Sequence, residues 1–302
     1  MEASRGEGFG WSRAFGHRPV LLDETLEALA VRPGGLYVDA TLGGGGHARA
    51  ILGRLGPGGR LLGLDADGEP LEWALAWGGG DPRLRLERLN FAALGAFLEK
   101  SGLGPADGLL ADLGLNSRQL GTAGRGFSFA LDGPLDMRLD QGGGPTAAEV
   151  LGGWSEEDLA EAFWRLGEER GARRLARLVA ERRAAGPIGG TAELAALAEE
   201  ALGRRGGRIH PATRMFMALR LAVNRELESL EAFLAGARGC LAAGGRLAVI
   251  SFHSLEDRLV KGALRDEGSW RLLRRKAVKP SPGEIAANPR ARSARLRAAE
   301  AV

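Results

Sequence analysis

The stretch Leu36-Tyr37-Val38-Asp39-Ala40-Thr41-Leu42-Gly43-Gly44-Gly45-Gly46-His47-Ala48 decides the fold. It opens with a short apolar run of strand length, breaks into glycine, and continues into a helix-like segment with Ile51, Leu52 and Leu55 on one face. Residues 43–48 fit the pattern G-x-G-x-x-A between a strand and a helix. Glycines suit that turn because the chain must bend sharply and let a ligand approach its backbone.

Outward from the bend, Pro57-Gly58-Gly59 turns the chain into a second strand over 60–65. That strand ends in Asp65, about 20 residues on, where an acid accepts hydrogen bonds from ribose hydroxyls. Further strands are predicted over 84–88 and 108–112. Strands alternating with helices at this rhythm argue for a parallel sheet covered on both faces. A plain glycine-rich turn explains the glycines alone, but not the strand, helix and downstream acid in register. Spacing leaves the cofactor open, because NAD and S-adenosylmethionine both present an adenosine to this geometry.

From residue 120 to 209 the strand rhythm stops. Ser155 with Asp158 forms a capping pair before Leu159, Phe163 and Leu166, and Thr191 can cap a helix carrying Leu194, Leu197 and Leu202. Pro211 then starts a long helix with Phe216, Leu219, Val223, Leu227, Leu230 and Leu234 at steps of three and four. Leu247-Ala248-Val249-Ile250 restores the strand pattern, so the helical unit reads as an insertion. The expected organisation is a first sheet portion over 1–120, a helical substrate-recognition insertion over 121–209, and a second sheet portion over 210–302. From Trp270 onward the chain is basic, with Arg271, Arg274, Arg275, Lys276, Lys279, Arg290, Arg292, Arg295 and Arg297 opposed mainly by Glu284 and Glu300. That segment is a candidate RNA contact, and a solvated tail fits the same charges.

The 302 residues are 44% hydrophobic and 26% charged, the balance of a globular chain rather than a disordered one. A net charge of +3 is compatible with a polyanionic partner without requiring one. Cys240 is the single cysteine, which excludes an internal disulfide and suits the cytoplasm. Residues 1–16 lack the apolar core of a secretory signal, and no apolar run reaches membrane-spanning length, so no membrane partner is expected. His17, His47, His210 and His253 lie far apart in the sequence, and no metal site is suggested.

Further blocks carry a resemblance. They include His17-Arg18-Pro19-Val20-Leu21-Leu22-Asp23-Glu24, Asp112-Leu113-Gly114-Leu115, Arg125-Gly126-Phe127-Ser128-Phe129 and Gly133-Pro134-Leu135-Asp136-Met137-Arg138. Gly167-Glu168-Glu169-Arg170, His210-Pro211-Ala212-Thr213-Arg214, Ser251-Phe252-His253-Ser254-Leu255-Glu256-Asp257-Arg258 and Asn288-Pro289-Arg290-Ala291-Arg292-Ser293 follow in order. With the glycine bend, the sequence resembles the bacterial 16S ribosomal RNA cytosine-N4 methyltransferases, the MraW family. The resemblance implies a Rossmann-like class I methyltransferase α/β sheet with an inserted all-helical domain. It further implies methyl transfer from S-adenosylmethionine to the exocyclic amine of one cytidine in the decoding region of 16S rRNA, within the small ribosomal subunit. A homodimer is left open. Methylation of another nucleic acid or a small molecule, NAD-dependent oxidoreduction and non-catalytic RNA binding are the competing readings.

Matched position by position, the family's cofactor residues fall on Gly45, Gly46, His47, Asp65, Phe91, Asp112 and Gln119. Phe91 and Gln119 rest on the resemblance alone. Asn116, Arg118, Gly121 and Met217 depart from its usual residues. The cytosine amine is a poor nucleophile, so an acceptor aimed at it should help; Asp112, ending the fourth strand, is either that acceptor or a cofactor ligand. Asp136 and His253 are the other catalytic candidates, although Asp136 can equally pair with Arg138, and a lone histidine is more often structural.

Overall fold

The computed structural model describes residues 19–203 and 210–302. His17 and Arg18 of the first family block, and residues 1–16, lie outside them. In chain order the elements are α1 (Leu22–Leu29), β1 (Leu36–Asp39), α2 (Gly46–Leu52), β2 (Arg60–Asp65), α3 (Gly68–Gly78), β3 (Leu84–Arg88), α4 (Leu94–Ser101), β4 (Ala106–Asp112) and α5 (Ser117–Gly121). Helices α6 (Ala147–Gly153), α7 (Glu156–Arg165), α8 (Ala172–Ala184), α9 (Thr191–Leu202), α10 (Ala212–Asn224) and α11 (Glu226–Ala237) follow. The chain closes with β5 (Leu241–Ser251), α12 (Ser254–Ala263), β6 (Trp270–Leu272), α13 (Pro282–Ala287) and β7 (Arg295–Ala301).

Seven strands form one sheet in the order β3-β2-β1-β4-β5-β7-β6. The first five are mutually parallel, and β7 is antiparallel to both its neighbours. The chain therefore moves outward from β1 in two directions, and the gap between the carboxyl ends of β1 and β4 is the switch point where α/β sheets bind ligands. Alternation along β1 and β4 explains the layers. Val38 and Leu109 face a core with α4, α11 and α12, while Tyr37 and Leu110 face a second core with α1 and α2. This is the Rossmann-like methyltransferase sheet expected from the sequence.

A third core joins Phe127, Leu135 and Met137 to Leu159, Phe163, Leu175, Leu194 and the α10 residues Met215, Phe216 and Leu219. Ser155 and Asp158 form the expected capping box. Thr191 does not cap α9: its hydroxyl accepts from Gly133 N–H and donates to Leu131 O, while Asp132 Oδ1 accepts from Ala192 N–H at the helix start. Glu168 ties this layer to the sheet, accepting from Ser254 Oγ at 2.6 Å and Arg258 Nη2 at 3.3 Å.

Two expectations need correcting. The long helix from Pro211 breaks at Arg225, whose φ of +48° ends α10 and starts α11. Asn224 explains the break, since its side chain donates to Met137 O and accepts from Leu139 N–H, drawing the chain toward residues 137–139. The basic C-terminal segment is not a solvated tail. Leu296, Ala299 and Ala301 of β7 are buried in the sheet, and Asp257 pairs with both Arg295 and Arg297 at 2.7 Å. Among the described residues, no helix is long and apolar enough to cross a membrane.

Candidate active site

The site grows from the first strand-to-helix turn. Gly45 caps α2 at φ +72°, a conformation that favours glycine, and a Cβ there would lie 2.7 Å from the Trp77 ring. A Cβ on Gly46 would overlap the Pro19 ring. These close approaches hold the bend between α3 and the chain before α1. Gly43 N–H donates to Asp65 Oδ2 at 2.9 Å, so the bend and the end of β2 are directly joined.

His47 points inward from the first turn of α2 and is almost fully buried. Its Nε2 lies 3.5 Å from Asp112 Oδ2, an ion-pair distance, at the carboxyl end of β4. Asp39, ending β1, is 1% exposed. Thr41 Oγ1 accepts from Asp112 N–H at 2.6 Å, binding the β1 and β4 termini together. Asp39 Oδ2, Asp112 Oδ1 and both ring nitrogens of His47 are buried without a hydrogen-bond partner among the described residues. Polar atoms left in that state are costly unless something else satisfies them.

Burial pushes the Asp39 carboxyl up to about 7, although His47 opposes it. Burial likewise raises Asp65 to about 6 against the N–H groups it accepts from. For His47, burial acts downward, but the Asp112 and Asp39 carboxylates outweigh it and hold the imidazole above its ordinary value. The floor of the switch point is therefore lined by carboxyl groups whose negative charge burial disfavours, so a group that bonds to them or brings positive charge would stabilise their ionised form.

On the α3 side, Asp65 Oδ1 accepts from Asp67 N–H at 2.9 Å. Asp67 Oδ2 accepts from Gln119 Nε2 at 2.9 Å and Arg125 Nη2 at 2.8 Å. Gln119 and Asn116 form a capping box that starts α5, so the departure to asparagine keeps a competent cap. Arg118 lies over the Trp73 ring at 4.3 Å. Gly45, Gly46, His47, Asp65, Asp112 and Gln119 thus belong to one connected set. Phe91 lies just beyond β3 and packs edge-on against Phe233 at 5.4 Å.

Asp136 is clamped by Arg138 through two hydrogen bonds of 2.9 Å, which hold its carboxyl below the usual range. His253 follows β5 at the same sheet edge and caps α12, with Nε2 3.0 Å from Glu256 Oε1. Sequence reasoning did not single out Asp39, Asp67 or Arg125 as site residues. Their signals were present: Asp39 is the acid ending β1, and Asp67 stands two residues past Asp65 at a helix start.

A mainly parallel sheet with one antiparallel hairpin edge, a glycine bend at its switch point and acids ending three adjacent strands define a Rossmann-like methyltransferase. The chain belongs to the MraW methylase family, whose model matches residues 14–302. It is 50% identical over 311 residues to ribosomal RNA small subunit methyltransferase H of Syntrophobacter fumaroxidans, covering 95% of this chain and 97% of that one. The protein of that name from Thermomicrobium roseum is 50% identical, covering 95% and 94%. Solved structures with some likeness include TrmN from Thermus thermophilus, 16% identical with a TM-score of 0.46 over 93% of this chain and 48% of that one.

Proposed function

We propose that this chain methylates N4 of one cytidine in the decoding region of 16S rRNA, using S-adenosylmethionine, on the small ribosomal subunit in the cytoplasm. The observation that carries the reading is the acidic floor formed by Asp39, Asp65 and Asp112 beside the glycine bend. Carboxyl groups there suit a sulfonium donor, and membership of the MraW methylase family favours that donor over NAD, whose adenosine the same bend and acid could also hold. The names of the relatives supply the rRNA substrate, and the family resemblance supplies the cytosine amine.

The donor fits the residues present. Asp65 would accept from the ribose hydroxyls, the close packing of Gly45 and Gly46 on Trp77 and Pro19 would hold the bend against the donor, and Phe91 would offer an apolar wall. When bound, S-adenosylmethionine supplies an electrophilic methyl group on a cationic sulfur. The accessible part of the Asp112 carboxylate, a quarter of whose side chain is exposed, would accept a hydrogen bond from the target amine and keep its lone pair available for in-line attack. As the new C–N bond forms, the bond from the methyl carbon to sulfur would break with its electron pair returning to sulfur, and the amine would release one proton to Asp112. His47, above its ordinary pKa and 3.5 Å away, holds the Asp112 carboxylate in place. The helical layer over 121–209 is assigned to RNA recognition. A target base within paired RNA must be extruded to reach this depth.

The test incubates the protein with methyl-labelled S-adenosylmethionine and small subunits lacking the modification, then maps the label. Label on a single cytidine N4 in the decoding region is expected. Label on another base, or none, sinks the reading.

A further inference from the structure

The basic C-terminal segment separates into spent and unspent charge once its ion pairs are resolved. Arg295 and Arg297 share the Asp257 carboxylate, Arg271 pairs with Glu300, and Arg274 pairs with Glu27. Arg275, Lys276, Lys279, Arg290 and Arg292 are exposed with no carboxylate pairing shown among the described residues, and of these Arg290 and Arg292 lie nearest the site. Both lie in the single 3-10 turn Pro289–Ser293.

The sheet fixes where that turn sits. Arg295, at the start of antiparallel β7, is opposite Ser251 at the end of β5. The preceding turn therefore lies at the carboxyl edge of the parallel strands, the edge that holds Asp112. Arg290 Nη1 donates to Ser117 Oγ at 3.0 Å, joining the turn to the start of α5. Arg118, the next residue of α5, is exposed and stacked on Trp73 without a carboxylate partner among the described residues. On the other side, Glu284 of α13 accepts from Leu21 N–H at 2.7 Å, beside the Pro19 ring that abuts Gly46. The segment from α13 to β7 thus spans the mouth of the site from Pro19 to α5.

We propose that Arg290 and Arg292, with Arg118 beside them, form a rim that grips backbone phosphates of single-stranded RNA entering the methyl-transfer cleft. The chemistry is specific to that rim. Guanidinium groups pair with phosphate oxygens through two parallel N–H donors, and these three have no carboxylate partner among the described residues. Phosphate contacts fix the register of the strand while other groups select the base. The arrangement holds the nucleotides flanking the target cytidine at the edge of the cleft. It rests on the rRNA reading above and names the surface by which that substrate docks.

The test measures binding of a fluorescent single-stranded RNA 12-mer to the full chain across a salt series. Each single-strand phosphate contact contributes roughly 0.7 to the slope of log K against log salt. The double variant R290A/R292A should therefore lower the slope by about 1.4, with S-adenosylmethionine affinity unchanged. R290K/R292K should restore most of it, which separates charge from any loosening of α5. R274A, whose partner is Glu27, should leave the slope as it was. An unchanged slope in R290A/R292A overturns the proposal, as does an equal loss in R274A. A parent protein that places no label on subunit RNA refutes the methylation reading instead, so the two failures are distinguishable.

Discussion

Gln119 Nε2 donates to Asp67 Oδ2 at 2.9 Å across 52 residues of sequence, and both side chains are buried. Through this bond α5 is fixed to the start of α3. Asp67 also accepts from Arg125 and donates its own N–H to Asp65. Asp67 therefore positions both the Asp65 carboxylate and the amide of Gln119.

Asp67→Ala should remove both side-chain bonds at once and take from the buried Arg125 guanidinium its shortest carboxylate partner, while the N–H at position 67 still donates to Asp65. Breaking a buried ion pair from one side costs about 3–5 kcal/mol, which urea unfolding would register. S-adenosylmethionine affinity should fall about tenfold or more by calorimetry. A stable variant with parental donor affinity would show that the network is incidental to the site.

Asp112→Asn keeps the shape of the side chain and removes its basicity. Single-turnover methylation should drop about 100-fold, in the range of a lost general base, while donor affinity changes little. The opposite split, with weaker donor binding and an intact rate, would make Asp112 a cofactor ligand.

Asp39 predicts a pH dependence. Its carboxyl titrates near 7 in the folded chain because burial disfavours the charge, against about 3.9 when unfolded. Between those values the native state holds more protons than the unfolded one, so stability declines as pH rises from about 4 through about 7. Asp65, raised to about 6, adds to the same decline. Asp39→Asn should flatten the profile of urea midpoint against pH across this window. A decline as steep as the parent's would show that Asp39 is not the titrating group.

The sequence displayed the glycine bend, β1 to β4 and the capping box at Ser155 because each depends on neighbouring residues. It concealed what depends on distant partners. Arg295 and Arg297 read as free positive charge because Asp257, which neutralises both, lies some 40 residues earlier. Gln119 was visible only through family resemblance, since its partner Asp67 is brought to it by the fold. The break at Arg225 was hidden for the same reason: the apolar spacing continues across it, and only Asn224 reaching residues 137–139 enforces the turn.

That break gives a stability prediction. Arg225 occupies left-handed backbone at φ +48°, which costs a non-glycine residue roughly 1–2 kcal/mol. Arg225→Gly removes the cost but adds unfolded-state entropy, so a net gain of about 0.5–1 kcal/mol is expected. The urea midpoint should rise with the slope unchanged. A lower midpoint would mean that the Arg225 side chain stabilises the junction.

Gly46 and Gly44 stand two residues apart in the bend and should respond oppositely to alanine. Gly46 is the first residue of α2, where alanine is ordinarily favoured over glycine. Here, however, the added Cβ meets the Pro19 ring, whose pyrrolidine cannot rotate away. Relief must come from moving residues 19–21, which the Leu21 bond to Glu284 resists. Overpacking of this kind costs about 1–3 kcal/mol, so Gly46→Ala should be less stable and bind donor more weakly. Gly44 is exposed, and its Cβ would meet nothing within 4 Å, so Gly44→Ala should stay within about 0.5 kcal/mol of the parent. If Gly46→Ala is instead the more stable of the two, helix propensity has won and the contact between Pro19 and the bend does not constrain the site.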